Sequence, residues 1–150
     1  MQNNSIYTVR FVSEDDIKGI HDVAVGNCDN PWSEEQFEKE LQNELSLFLC
    51  AKHNNRVVGF INIHTVIPDA HINEIAVKKE LRRQGIAAML LNSGISESRN
   101  RGCEIMTLEV RSENMAARNL YMKNGFKDVG IRKRFYSNPD DDAVTMKRDI

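Results

Sequence analysis

The sequence predicts an α/β (α+β) fold in which helices pack on a mixed sheet, and three observations favour it. Of the 150 residues, 41% are hydrophobic and 28% are charged, which is typical of a globular chain with a substantial core. Strand-like and helix-like segments follow one another in the order β-α-α-β-β-β-α-β-α-β-β. A dinucleotide-binding fold would need strict strand–helix alternation and a G-x-G-x-x-G motif, and the sequence has neither.

The first part of the chain is predicted to form one strand and two helices. Residues 7–12 form the strand, and Ser13 can cap the helix that follows. The apolar stripe of that helix consists of Ile17, Ile20, Val23 and Ala24. A break at residues 31–33 separates it from a second helix, which begins with a capping box formed by Ser33 and Gln36.

Residues 47–52 and 57–64 are predicted to form an antiparallel hairpin. Asn54 and Asn55 lie between these two segments. Asparagine tolerates the positive φ angles that tight hairpin turns require, so this pair is a strong hairpin signal.

The next three elements are predicted to be a strand, a helix and a strand. A turn at residues 68–69 leads into the strand over 72–77, and the helix extends from residue 86 to about 100. Gly102 marks the end of that helix, and residues 105–110 alternate as a strand does.

The chain is predicted to end with a helix and two strands. The helix runs from about residue 115 to 124, and Gly125 terminates it. Strands over residues 126–132 and 143–148 flank a polar loop at 136–142.

Composition argues against several classes of protein. The net charge of −2 gives no support for nucleic-acid binding, and no apolar stretch approaches the ~20 residues of a membrane span. Residues 1–5 are polar and unlike a signal peptide. The three scattered cysteines suit free thiols in the cytoplasm, and the four histidines lack metal-ligand spacing. We therefore expect a cytoplasmic protein that binds no metal, membrane or nucleic acid.

Residues 82–87 predict a site for a pyrophosphate. They follow a strand and open a helix, whose first N–H groups are unpaired and attract anions. Gly85 lets a phosphate approach the backbone, and Arg82 and Arg83 add positive charge. Taken alone, a basic loop before an ordinary surface helix would produce the same six residues.

Several polar side chains in the last third are candidates for chemistry, each with a structural alternative. Alternation puts Glu109 on the polar face of its strand, where it either lines a cleft or pairs with Arg111 in solvent. Asn114 is a natural helix N-cap, and Tyr121 is either a core residue or a functional phenol. The aspartates at 140–142 form either a solvated loop or a negative lip for a cationic substrate.

Together these segments resemble the GNAT acyltransferase superfamily over nearly the whole chain. The loop is similar to its (Q/R)-x-x-G-x-(G/A) acetyl-CoA motif, with Arg82, Gly85 and Ala87 at the fixed positions. Residues 31–33, 108–126 and 135–146 resemble the branch that acetylates the N-terminal alanine of ribosomal proteins. The resemblance implies one GNAT domain over residues 1–150, with a mostly antiparallel mixed sheet and helices on both faces.

The resemblance also implies an acetyl-CoA site. Ile75, Ala76 and Val77 match the strand that lies along the pantetheine arm, with the Val77 amide near the thioester carbonyl. Asn114 matches a further acetyl-CoA contact. The residues that match the pyrophosphate loop are Arg83, Gln84, Gly85, Ile86, Ala87 and Ala88.

Catalytic roles follow from the same resemblance. Glu109 matches a general base, and Tyr121 matches the acid that protonates the departing thiolate. Glu74 is a rival base, since other members of the superfamily use a glutamate on that strand. Direct transfer in a ternary complex needs no covalent enzyme intermediate. The candidate substrate contacts are Trp32, Tyr136, Asp141 and Asp142.

The expected acceptor is the N-terminal amine of a small-subunit ribosomal protein that begins with alanine. Two alternatives remain open: an acetyltransferase for a lysine side chain or small amine, and a non-catalytic acetyl-CoA-binding module that regulates a partner. The joint presence of Glu109, Asn114 and Tyr121 favours an enzyme over the silent module.

Overall fold

A computed structural model describes residues 6–150; residues 1–5, used in the signal-peptide argument, lie outside the described residues. Seven strands form one sheet in the order β1-β2-β3-β4-β5-β7-β6, antiparallel except between β4 and β5. The strands are β1 (Thr8–Phe11), β2 (Ser46–His53), β3 (Arg56–Val66), β4 (Asp69–Val77), β5 (Ile105–Arg111), β6 (Lys127–Tyr136) and β7 (Asp141–Asp149). The predicted element order and the mixed, mostly antiparallel sheet are confirmed.

Helices cover both faces of the sheet. They are α1 (Ile17–Asn27), α2 (Glu34–Leu41), α3 (Ile86–Asn100) and α4 (Met115–Lys123). One face, called here the α1 face, packs α1 and α2 around Phe48 and Phe60. The other, called the α3 face, packs α3 against Ile61 and Ile63 and also carries Tyr121 of α4. Among residues 6–150 no helix is long and apolar enough to span a membrane.

The predicted turn and capping signals have clear local causes in the structure. Asn54 and Asn55 adopt φ angles of 49° and 66° between β2 and β3. The Ser33 hydroxyl accepts from the Gln36 amide at 3.2 Å, and the Gln36 side chain accepts from the Ser33 amide at 2.8 Å. Ser13 precedes a short 3-10 turn over Glu14–Asp16 that leads into α1, where the sequence predicted a direct helix cap.

The predicted polar loop at residues 136–142 is shorter than expected. Tyr136 still belongs to β6 and pairs with Asp141 at the start of β7. The sequence underestimated β6 because this strand lies at the sheet edge and buries none of its side chains fully, so it lacks an apolar alternation.

The middle of the sheet contains a gap between two parallel strands. β4 pairs with β5 only from Asp69↔Ile105 to Ile72↔Leu108, although both strands continue beyond these pairs. Parallel strands that stop pairing leave backbone N–H and C=O groups free along the gap.

A β-bulge in β4 lies where this gap begins. Asn62 pairs with Glu74 while Ile63 pairs with Ile72, so Asn73 is the extra residue. The Asn73 side-chain amide donates to Asn62 Oδ1 at 2.9 Å, and the buried Asn62 amide donates to Ser46 Oγ at 2.8 Å. These hydrogen bonds fasten the bulge to the neighbouring strands.

Candidate active site

A cavity of about 570 Å³ opens at the point where β4 and β5 diverge. The Lys78 amide donates to the Val58 carbonyl at 2.9 Å, so Lys78 and, two residues back, Ala76 face β3. Because strand amides alternate in direction, the amides of Ile75 and Val77 point the other way, toward the gap. The predicted pantetheine strand therefore presents the Val77 amide as a donor there, whereas the Ile75 amide bonds to the Glu74 carboxylate.

The loop between β4 and α3 presents further backbone donors. Arg83 and Gly85 have φ angles of 66° and 81°, both in the left-handed region. The first amides of α3, at Ile86, Ala87 and Ala88, have no partner within the helix, and no side chain caps them. A Cβ at Gly85 would meet nothing within 4 Å, so the space beside this backbone is open. Such a cluster of amides at a helix start suits an anion.

Two distant residues hold this loop in place. The Tyr7 hydroxyl donates to Gln84 Oε1 at 2.5 Å, and Arg82 Nη2 donates to Asn27 Oδ1 at 2.7 Å. The partners are 77 and 55 positions apart, so no local pattern in the sequence could have revealed Tyr7 and Asn27.

Glu109 faces the cavity, as the cleft alternative for its strand predicted. Its side chain is 18% exposed, and Oε2 lies 3.3 Å from Nε of Arg132 on β6. The alternative of a Glu109–Arg111 pair in solvent is wrong, because Arg111 turns instead to Asp29.

Glu74 projects into the same cavity from β4. The bulge at Asn73 puts Glu74 on the α1 face, with the Cys28 thiol beside its carboxylate. Water reaches this side chain through the open cavity, yet the surrounding protein desolvates it and raises the pKa of the carboxyl. Hydrogen bonds from the Cys28 thiol and the Ile75 amide offset part of that rise. The cavity thus holds two carboxylates, one from each diverging strand.

Two tyrosines complete the polar wall. Tyr121 of α4 is 5% exposed and packs edge-on against Phe126, with ring centres 5.9 Å apart. Burial, and secondarily the Glu74 carboxylate, raise the pKa of Tyr121 far above its usual range, so the phenol stays protonated at neutral pH. Burial and the Glu109 carboxylate also raise the pKa of Tyr136, whereas Arg111 lowers it.

Asn114 and Trp32 lie at two different places. Asn114 lines the cavity and caps α4, where its Oδ1 accepts from the Ala117 amide at 3.1 Å. Trp32 packs on Phe37, with ring centres 5.6 Å apart, and lines a smaller cavity of about 60 Å³ that Glu74 also borders. Trp32 therefore lies beside Glu74 but does not line the main cavity.

Asp141 and Asp142 hold the turns at the end of the sheet. The Asp141 carboxylate accepts from Ser112 Oγ at 2.5 Å and from the Glu113 amide at 3.2 Å. Asp142 Oδ1 accepts from the Arg134 amide at 2.9 Å. Neither aspartate lines the cavity, so any role in binding a substrate would act through charge at its rim.

Sequence reasoning missed Arg111 and Asp29 as parts of this site. The two side chains meet at 2.6 Å across 82 positions, and Arg111 also bonds to the turn between β6 and β7. The alternation of β5 was the only available signal, and it placed Arg111 on the cavity side without revealing its partners.

Relatives of known name share this architecture. A putative ribosomal protein bS18-alanine N-acetyltransferase of Bacillus subtilis is 31% identical over 139 residues, which cover 92% of either chain. The ribosomal protein bS18-alanine N-acetyltransferase of Escherichia coli K12 is 36% identical over 118 residues, covering 77% of this chain and 79% of the relative.

A solved structure and a family model agree with these relatives. The crystal structure of the ribosomal-protein-S18-alanine N-acetyltransferase from Escherichia coli matches with a TM-score of 0.88 and 30% identity, over 97% of this chain and 94% of that one. The model of the acetyltransferase (GNAT) family matches residues 17–126, which include both diverging strands and the loop before α3. The chain therefore belongs to the GNAT family of acetyltransferases.

Proposed function

We propose that this chain transfers the acetyl group of acetyl-CoA to the α-amine of a protein, and that the acceptor is the N-terminal alanine of a ribosomal protein. One observation carries the proposal: two carboxylates and a protonated phenol converge on a cavity at the point where β4 and β5 stop pairing. The named relatives act on such an alanine, which supports the choice of acceptor.

Acetyl-CoA would lie along β4, with its pyrophosphate bound at the start of α3. The free amides of Ile86, Ala87 and Ala88 and the open space at Gly85 fit a phosphate group, and Arg83 adds positive charge. Gln84 would shape this loop, and Asn114 would contact the arm from the start of α4. In this arrangement acetyl-CoA supplies an activated acyl group at the gap between the strands.

The backbone of β4 would stabilise the charge that develops on the acyl oxygen. Ile75, Ala76 and Val77 run beside the gap, and the Val77 amide points into it. A fixed N–H donor needs no reorganisation when negative charge forms on the oxygen, and for that reason such donors lower the barrier. An amine would then attack directly, with no covalent enzyme intermediate.

Glu109 would accept the proton of the attacking amine, directly or through a water molecule. A protonated amine is no nucleophile, and Glu109 is a carboxylate that faces the cavity. Glu74 is the competing base. Its burial-raised pKa makes it the stronger proton acceptor once ionised, and it lies near Tyr121. Separate substitution of the two glutamates decides between them.

Tyr121 would donate a proton to the departing thiolate. Its raised pKa keeps the phenol protonated at every pH at which the amine is reactive. Tyr121 lines the cavity, as does Asn114, which caps the same helix. This position suits a group that meets the sulfur end of the bound pantetheine arm.

The acceptor would enter on the side of Trp32 and Tyr136. An N-terminal amine has an unperturbed pKa near ~8, well below the ~10.4 of lysine, so a glutamate deprotonates it more easily. The carboxylates of Asp141 and Asp142 accept bonds from the segments that end at the cavity and would attract the cationic residues that follow the first one. The three free cysteines suit a reaction in the cytoplasm.

Peptide acetylation with mass spectrometry tests this function. We expect a peptide that begins Ala-Arg to be acetylated on its α-amine, ahead of an internal lysine in the same peptide and of polyamines added in competition. Acetyl groups found mainly on lysine side chains or on polyamines would contradict the proposed acceptor. Binding of acetyl-CoA without acetylation of any acceptor would contradict the proposal that the chain is an acetyltransferase.

A further inference from the structure

One arginine joins several groups at the mouth of the cavity. Arg111 Nε donates to Asp29 Oδ2 at 2.6 Å. Its Nη1 and Nη2 donate to the carbonyls of Pro139 and Ser137 at 2.8 and 3.0 Å. The guanidinium carbon lies 4.6 Å from the ring centre of Tyr136. Only 16% of the Arg111 side chain is exposed, because these partners enclose it.

The partners of Arg111 come from opposite sides of the cavity. Asp29 follows α1, which packs on β3 and β4. Ser137 and Pro139 belong to the turn between β6 and β7, at the other end of the sheet order. β5 lies between the two groups, so Arg111 at its end spans the mouth from one side to the other.

We propose that Arg111 is a positioning residue for the acceptor: it sets the width of the cavity mouth and the orientation of Tyr136. The inference rests on the proposed function, in which the acceptor enters between Trp32 and Tyr136. Its three guanidinium nitrogens donate to Asp29 and to the two carbonyls of the turn, and its guanidinium lies over the Tyr136 ring, so Arg111 serves to hold these groups. Its effect falls on acceptor binding.

Only arginine can make this set of contacts. The planar guanidinium directs donors from three nitrogens and stacks on an aromatic face, whereas lysine has a single nitrogen on a flexible chain. A lysine at position 111 would keep the positive charge, but its single nitrogen cannot occupy the places of the three nitrogens that bond to Asp29, Pro139 and Ser137. Arg111→Lys therefore removes the bridge while preserving the net charge.

Steady-state kinetics of Arg111→Lys test the proposal, with Arg101→Lys as the matched control. Arg101 also bonds to two backbone carbonyls, those of Glu44 and Ser46, but away from the cavity. We expect the KM for an Ala-Arg peptide to rise about tenfold in Arg111→Lys, since two hydrogen bonds to a charged donor are lost. The Kd for acetyl-CoA and both constants of Arg101→Lys should remain within about twofold of wild type.

An unchanged peptide KM in Arg111→Lys would overturn the proposal. An equal loss of acetyl-CoA affinity would also overturn it, because the effect would then reach the whole site. Either result requires that the wild-type protein acetylates the peptide, which is the test of the proposed function.

Hydrogen exchange provides a readout that does not depend on activity. In Arg111→Lys we expect one hydrogen-bonded amide beside each bridged segment to exchange about tenfold faster: that of Cys28, which donates to Ala24, and that of Ser112, which donates to Asp142 just after the turn. Arg101→Lys should leave both segments unchanged. Faster exchange in only one segment, or in neither, would contradict the bridge even if the wild-type protein proves to use a different acceptor.

Discussion

The two sides of the cleft are built from different kinds of chemical group. On the cofactor side, the proposed contacts are mainly backbone amides from one stretch of chain, residues 75–88. On the proposed acceptor side, the groups are side chains that come from separate strands, helices and turns, such as Glu109 of β5 and Tyr136 of β6. One side depends on backbone conformation, and the other on how distant segments are held together.

This difference predicts how each side responds to mutation. A site made of amides tolerates side-chain changes as long as the φ and ψ angles and the open space survive. A site made of side chains fails when one group, or the residue that holds it, is replaced. Five substitution experiments test this contrast, beginning with the one expected to have the largest effect.

Gly85→Glu should abolish measurable binding of acetyl-CoA. The new side chain puts bulk and negative charge beside the amides of Ile86 to Ala88, in space that is open in the wild type. Gly85→Ala is the control, since it adds the same left-handed strain, about 1–2 kcal/mol, without the charge. Calorimetry should show binding to the alanine variant. Normal affinity in a folded Gly85→Glu protein would exclude this loop as the pyrophosphate site.

Glu109→Gln and Tyr121→Phe should each lower kcat about a hundredfold or more while the Kd for acetyl-CoA stays near wild type. Both changes keep the shape of the side chain and remove the proton transfer, and Glu109→Gln also removes the charge that faces Arg132. The loss in Glu109→Gln should shrink as the pH rises, because more of the amine is then already deprotonated. Stopped assays over a pH series measure this trend.

Glu74→Gln is the comparison that decides the base. A carboxyl whose pKa is raised becomes ionised only at higher pH. If Glu74 is the base, the acidic limb of the pH–rate profile should therefore lie at higher pH than for an ordinary carboxyl. If Glu74→Gln is crippled and Glu109→Gln is almost normal, the assignment of Glu109 is wrong.

Tyr7→Phe should weaken acetyl-CoA binding only about fivefold, the worth of one hydrogen bond of about 1 kcal/mol. The substitution removes the donor to Gln84 but leaves the loop amides where the backbone puts them. Isothermal titration of the variant measures the change. A loss as large as that in Gly85→Glu would show that the loop depends on this side-chain tether, against the contrast drawn above.

The double change of Asp141 and Asp142 to Asn should have the smallest effect, about a two- to threefold rise in peptide KM at low salt. Asparagine retains an acceptor oxygen for the bonds from Glu113 and Arg134. The main loss is therefore charge at the rim. The effect should fade in high salt, and Asp140→Asn provides the single-charge control. A salt-independent effect would point to altered turn structure.

The sequence predicted what depends on local pattern. The loop at Gly85 was predictable because a glycine, a preceding strand and a following helix lie within one short segment. The direction of Glu109 followed from the alternation of β5. Cap and hairpin positions, such as Asn54 with its positive φ, were predictable for the same reason.

The remaining features depend on contacts between distant segments. Nothing near Arg111 in the sequence indicates Asp29, and nothing near Glu109 indicates Arg132. The bulge at Asn73 changes the hydrophobic pattern only by placing Ile72 and Ile75 on one face three positions apart, and this spacing does not reveal Asn62 as the partner of Asn73. Such pairings are fixed by the folded sheet and not by spacing along the chain.

The extra residue, Asn73, determines to which face of the sheet each later side chain of β4 points. Side chains in a strand alternate, so if Asn73 instead paired regularly with Asn62, every later residue of β4 would turn to the opposite face. Glu74 would then enter the apolar core beneath α3, and Ile75 would take its place in the cavity. The amides of Ile75 and Val77 would turn to β3 and leave the gap without donors. One inserted asparagine, held by Asn62, thus keeps both the carboxylate and the amides of β4 in phase with the site.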